Sequence, residues 1–226
     1  MLFEETRREI VELGRRLERE GLLNHTAGNI SARVAPDLVA ISPTGIPYPE
    51  IAAEDVVIVT IEGERVDGRR RPSSELALHL AMYRMRAGTG GVVHTHAPFA
   101  TTLAVLGVPI PAIHYEIAML AEHHVPVVPY ATYGTVGLAE LARAAIGNAN
   151  AALLANHGTI ALGPTLAAAV TYTQVLENLA MLYYRARMFG DPVVLPADEI
   201  ARVREKFKRS AEAKAAEADG LQPTSA

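Results

Sequence analysis

The chain has 226 residues, half of them hydrophobic and a fifth charged, with a formal charge of −4 at pH 7. Such a chain buries on the order of 70% of the surface it exposes when unfolded, which excludes disorder as the main state and favours a single domain. The negative balance provides no general field for phosphate backbones, so nucleic acid is not an expected partner, and the lack of cysteine excludes disulfides, thiolate metal sites and cysteine nucleophiles.

The first element is expected over residues 4–20, where Ile10, Val11, Leu13 and Leu17 recur near helical spacing among charges and Gly21 follows as a stop signal. Those charges stand where an export signal needs an apolar run, which points to the cytoplasm. Short strands are expected at 29–34, 38–42 and 56–61, the last ended by Glu62-Gly63-Glu64. A second helix is expected from Ser73 or Ser74 to about Arg86, followed by a strand over Gly90-Gly91-Val92-Val93-His94. Helical patterns near 97–106, 114–122 and 135–146 then alternate with strand candidates at 125–130, 151–156 and 159–162, which is α/β in character.

The longest helix is expected from about Thr165 to Met188, between Gly163-Pro164 and Gly190-Asp191-Pro192, and a final helix from Ala197. Residues 144–176 carry no charge, but Asn148, Asn150, Asn156, His157 and Pro164 interrupt them too often for a membrane span, so they read as core. One domain is expected over 1–210, with 211–226, rich in Ala, Glu and Lys, as a frayed or detachable tail.

The strongest chemical signal is His94-Thr95-His96 at the end of an apolar strand. Side chains at i and i+2 project to one face, so two imidazoles can grip one cation on nitrogen ligands. A third ligand must come from elsewhere: His157, which ends a buried run and precedes Gly158, is the stronger candidate and His25 the other. His79, His114, His123 and His124 read as structural. Glu75 follows Pro72-Ser73-Ser74 at a helix start, where a carboxylate ordinarily favours only the helix dipole; the same turn offers hydroxyls and backbone N–H groups for an anion, with Glu75 as an acid/base beside it. Thr26-Ala27-Gly28-Asn29 and Ser42-Pro43-Thr44-Gly45 are turns of similar make-up. Three such turns with a His pair suggest a phosphate pocket near a metal.

On Thr26-Ala27-Gly28-Asn29, Thr44-Gly45-Ile46-Pro47-Tyr48, Pro72-Ser73-Ser74-Glu75, His94-Thr95-His96-Ala97, Ile113-His114-Tyr115, Pro129-Tyr130-Ala131-Thr132 and Asn156-His157-Gly158, the sequence resembles the zinc-dependent class II aldolases of the L-fuculose-1-phosphate aldolase type. The likeness covers nearly the whole chain. It implies a three-layer α/β/α domain with a largely antiparallel central sheet, assembled as a homotetramer with sites between subunits. It also implies one Zn2+ per subunit on His94, His96 and His157, with Glu75 as catalytic acid/base and Tyr115, from a neighbouring subunit, as proton donor. Gly28, Asn29, Thr44, Gly45, Ser73 and Ser74 would bind the phosphate of a small phosphosugar substrate. The implied reaction is reversible cleavage of a ketose 1-phosphate to dihydroxyacetone phosphate and an aldehyde such as lactaldehyde.

The sequence departs from the fuculose-specific pattern at Ser210, where a tyrosine is expected, and at Tyr133, where those relatives carry phenylalanine; Phe207 fits. An L-ribulose-5-phosphate 4-epimerase is the nearest alternative, but its aspartate after the metal strand has no counterpart, since no aspartate occurs between Asp67 and Asp191. A phosphosugar dehydratase on the same scaffold is a weaker alternative. A metal-free, adducin-like interaction domain has no use for three placed histidines.

Overall fold

The computed structural model describes residues 1–218. An amphipathic helix, α1 (Glu4–Arg19), is followed by strands β1 (Asn29–Ala35), β2 (Leu38–Ile41), β3 (Val57–Thr60) and β4 (Arg65–Asp67). Helix α2 (Leu76–Met85), strand β5 (Gly91–Thr95) and helix α3 (Pro98–Leu106) come next. Three two-residue strands, β6 (Ile110–Pro111), β7 (His124–Val125) and β8 (Val127–Val128), lead to α4 (Val136–Ile146). The chain closes with β9 (Ala151–Leu154), β10 (Gly158–Gly163), α5 (Leu166–Arg187) and α6 (Ala197–Ala218). Helix α6 thus continues into the stretch expected as a tail, whose residues 219–226 lie outside the described residues.

Eight strands form one sheet in the order β4-β3-β2-β1-β5-β10-β9-β8. Every pairing is antiparallel except β8 with β9. Strand alternation divides the core. Val39, Ile41, Val57, Val59, Val92 and Leu154 pack with α2 and α4 on one face. On the other, Ile30, Ala32, Ala40, Ile58 and Val93 pack with α1 and the start of α5, while Leu153 and Ala161 pack with α3, α5 and Ile200 of α6. The result is the expected three-layer α/β/α architecture. Among the described residues no helix is long and apolar enough to cross a membrane.

Three local expectations are corrected. Residues 114–122 form not an α-helix but a single 3-10 turn, Tyr115–Met119, entered from the extended backbone of His114 and too short to propagate. The strand expected at 125–130 is cut at Pro126, which has no N–H for a ladder: Val125 pairs with Ile110 in a separate two-stranded sheet, and Val127–Val128 crosses to β9. Strand β4 has no counterpart in the expected elements because it is an exposed edge without an apolar face, Val66 included.

Candidate active site

β1 and β5 are central neighbours with Asn29 opposite His94 and Ser31 opposite Val92. Because Val92 faces α2, His94 and His96 leave the strand on that same side, and so do Asn29 and Ser31. Helix α2 begins at Leu76 rather than at Ser73 or Ser74. Glu75 stands at its N-cap position, yet its carboxylate makes no capping bond; it turns beneath the sheet instead and is only 5% exposed. Ser73 Oγ takes up the Glu75 backbone N–H at 3.2 Å. His157 comes from the β9–β10 turn, where Asn156 is left-handed at φ 54°. Gly158 is required there, since a Cβ would stand 2.4 Å from the Thr95 carbonyl oxygen and 2.7 Å from the His96 ring.

These elements bring His94, His96 and His157 together, one ligand atom from each lying within 4.8 Å of the others. His25, the other candidate for third ligand, is exposed and is not in this group. His94 Nδ1 lies 2.7 Å from the Thr159 carbonyl oxygen, and a carbonyl only accepts, so the ring donates from Nδ1 and a neutral imidazole keeps a bare lone pair on Nε2. That lone pair faces His96 Nε2 at 3.1 Å and Glu75 Oε2 at 2.8 Å. Glu75 Oε1 is 3.4 Å from His157 Nε2, and both Glu75 Oε1 and His157 Nδ1 are buried without a hydrogen-bond partner. Several lone pairs converging on one point are stable only around a cation, and nitrogen donors whose tautomer is fixed by a backbone carbonyl, as the Thr159 carbonyl fixes His94, fit a divalent metal ion.

The electrostatics agree. Burial pushes the Glu75 carboxyl upward, but the neighbouring imidazoles of His94 and His157 and the amide of Asn29 outweigh it and hold the group down at about 2. Burial lowers His96 to about 4 and also lowers His157, so both rings are neutral donors at neutral pH.

A cleft of about 260 Å³ opens over this cluster. Gly28, Asn29, Thr44, Gly45, Ser73 and Ser74 all line it, together with Glu75, His96, His157 and Tyr133. Gly28, at φ 87°, is irreplaceable on steric grounds, because a Cβ would sit 2.8 Å from the His94 carbonyl oxygen. Tyr115 is not brought to this cleft; it is 47% exposed, stacked at 4.6 Å on His114 and 6.2 Å from Phe207.

Two supporting residues escaped sequence reasoning. His79, read as structural, is fully buried and bonded to Asn29 and Ser31; its spacing of four from Glu75 on one helix face was the available signal. Glu177 of α5 accepts the backbone N–H groups of Phe99 and Ala100 at 2.8 Å each. It thereby caps α3, whose own N-cap residue, Ala97, has no side chain to do so. Nothing local in the sequence marks Glu177, because its partner helix lies more than 70 residues away.

Comparison with known proteins identifies the architecture. Residues 8–184 match the model of the class II aldolase and adducin N-terminal domain. The chain belongs to that family. Aldolase-named relatives cover it almost end to end. It is 43% identical over 209 residues to the 5-deoxy-D-ribulose 1-phosphate aldolase of Bacillus thuringiensis serovar kurstaki, an alignment covering 92% of this chain and 98% of that protein. It is 42% identical over 202 residues to an L-fuculose phosphate aldolase of Escherichia coli O6:H1, covering 89% and 93%. A solved L-fuculose 1-phosphate aldolase superposes with a TM-score of 0.89 at 40% identity, covering 92% of this chain and 98% of that one. This class II aldolase is an aldehyde-lyase, and its His94, His96 and His157 fit a metal ion.

Proposed function

We propose that this class II aldolase is zinc-dependent and reversibly cleaves a ketose 1-phosphate to dihydroxyacetone phosphate and a small aldehyde. The observation that carries the reading is the Glu75 carboxylate standing between the three imidazoles and a cleft lined by hydroxyls and an amide. The substrates named for the two relatives, 5-deoxyribulose 1-phosphate and L-fuculose phosphate, both end in a methyl group and differ by one hydroxyl-bearing carbon. The reading for this chain is therefore a terminally deoxygenated ketose 1-phosphate.

His94, His96 and His157 hold the zinc. When bound it supplies a Lewis acid for the charge that develops on the ketose oxygens as the C3–C4 bond breaks. Gly28, Asn29, Thr44, Gly45, Ser73 and Ser74 hold the phosphate with neutral donors. Ser73 is free to donate its hydroxyl proton because its oxygen already accepts the Glu75 N–H. Glu75 is kept ionised, so in the synthetic direction it takes the proton from C3 of dihydroxyacetone phosphate, and in cleavage it returns that proton to C3. Asn29 Nδ2 donates to Glu75 Oε2 at 3.2 Å and holds the carboxylate at the cleft. In synthesis Tyr115 of a neighbouring subunit donates its phenolic proton to the aldehyde oxygen and is reprotonated through solvent, to which Glu75 releases the proton it took from C3; cleavage is the same sequence reversed. A homotetramer with sites between subunits supplies that residue. Exposed Tyr130, Tyr133, Met188 and Phe189 support an assembly that covers apolar surface.

The decisive experiment incubates zinc-loaded protein with 5-deoxyribulose 1-phosphate, L-fuculose 1-phosphate and a panel of ketose 5-phosphates, and identifies products. Release of dihydroxyacetone phosphate from 1-phosphates is expected. An isomerised pentose 5-phosphate in its place selects the epimerase and overturns the proposal.

A further inference from the structure

Beneath the cleft lies a line of polar groups, Ser31, His79 and Tyr83, that do not line it. Ser31 and His79 are fully buried and Tyr83 is 1% exposed. Tyr83 Oη is 2.8 Å from Ser31 Oγ, Ser31 Oγ is 2.6 Å from His79 Nδ1, and His79 Nε2 is 2.6 Å from Asn29 Oδ1. Asn29 Nδ2 then donates to Glu75 Oε2 at 3.2 Å. Four consecutive contacts thus join a buried tyrosine to the carboxylate at the metal cluster.

Proton counting leaves one arrangement of this line. Asn29 Nδ2 donates to the Glu75 carboxylate, so the amide oxygen faces His79. That oxygen needs a donor, which places the imidazole proton on Nε2. Burial holds His79 neutral, lowering it to about 3. Nδ1 is therefore bare and takes the Ser31 proton, and Ser31 Oγ takes the Tyr83 proton. In the reverse arrangement Asn29 would turn its oxygen to a carboxylate and the Tyr83 proton would have no acceptor in the line. An asparagine amide is nearly symmetric in shape, so only this polarity selects one of its two orientations.

We propose that His79 is a positioning residue for the aldolase reaction: in its Nε2–H tautomer it locks the Asn29 amide so that Nδ2 faces Glu75 and the substrate cleft. The inference rests on the aldolase reading above. Without the His79 N–H the amide is free to rotate by half a turn, placing a carbonyl oxygen against the Glu75 carboxylate. Both the proton shuttle and one phosphate donor are then disordered together.

Imidazole-15N NMR of the wild-type protein tests the geometry without any turnover. A neutral His79 protonated at Nε2 is expected at neutral pH, and an Nδ1–H tautomer or an imidazolium overturns the proposal. A kinetic cycle tests the function. His79→Phe fills the same space without a donor, and kcat/KM for the ketose 1-phosphate should fall about 10-fold or more. His79→Gln restores an N–H near the position of Nε2 and should recover most of that loss. In an Asn29→Ala background His79→Phe should cost little further, because the two act as a unit. Equal losses in both backgrounds, or no recovery with Gln, overturn the proposal. If His79→Phe does not fold, the imidazole tautomer decides. Wild-type protein that cleaves no ketose 1-phosphate sinks the aldolase reading and is distinguishable, since the tautomer is read independently.

Discussion

Glu75 occupies a helix start, where a carboxylate that only favours the dipole is worth about 0.3–1 kcal/mol of stability and nothing to turnover. Its contacts are with imidazoles and an amide instead. Glu75→Gln preserves the shape and removes the proton acceptor, so kcat should fall about 10²–10⁴-fold while the fold and the zinc persist. Exchange of the C3 proton of dihydroxyacetone phosphate with solvent deuterium isolates this step, and wild-type exchange in the zinc-replete variant would exclude Glu75 as the shuttle. The metal assignment has its own test. His157→Ala should lose tightly held zinc after dialysis, measured by elemental analysis, because one of three protein donors is gone. His25→Ala and His124→Ala should retain it. Zinc at full stoichiometry and affinity in His157→Ala would remove that residue from the ligand set. The His94 and His96 pair was legible from the i, i+2 rule alone, and the place of His157 after a buried run favours it over His25; the tertiary structure adds how the turn after β9 brings it to the pair.

At the scale of single elements, α3 starts immediately after the metal strand and depends on α5 for its cap. Removing the carboxylate in Glu177→Ala leaves two N–H groups unsatisfied, which should cost about 1–3 kcal/mol. The loss should appear as a lower Tm and as faster hydrogen exchange at the Phe99 and Ala100 amides; unchanged exchange there would show that the helix does not need this cap. Helix α2 carries a pH dependence through His79. Its folded value lies near 3, below the ordinary 6.5, so between these values the unfolded chain binds a proton that the folded chain refuses. Stability should therefore fall as pH drops from about 6.5 toward about 3, with no contribution from this group above that window. Urea midpoints across the range should show a steeper acid loss for wild type than for His79→Gln, and parallel slopes would remove His79 from the acid response.

For the whole molecule, the position of Tyr115 has the largest consequence. It is exposed and away from its own chain's cleft, so its proposed role requires a second copy. Tyr115→Phe should strongly reduce ketose 1-phosphate cleavage, yet leave deuterium exchange into dihydroxyacetone phosphate near wild type, because that step needs Glu75 and zinc but no aldehyde. Sedimentation should report an oligomer. A fully active monomer would rule out a shared site.

The amino-acid pattern by itself determined most of the alternation of helices and strands, the buried character of β9 and β10 though not of the whole stretch 144–176, whose turns and outer helix faces are exposed, and the shared face of His94 and His96. These depend on spacings within one element, where backbone periodicity fixes side-chain direction. The seven ordered motifs carried the family, and with it the three-layer architecture. Only the tertiary structure decided the rest: that Pro126 splits one expected strand between two sheets, that Glu75 turns from its helix toward the histidines, and that His79 faces Asn29. The last two are set by partners far away in the chain, 46 residues from Asn29 to Glu75 and 50 from Asn29 to His79. A hydrogen bond of that kind leaves no local period to read. It exists only because packing β1 against β5 beneath α2 excludes water and obliges each buried polar group to find its partner within the protein.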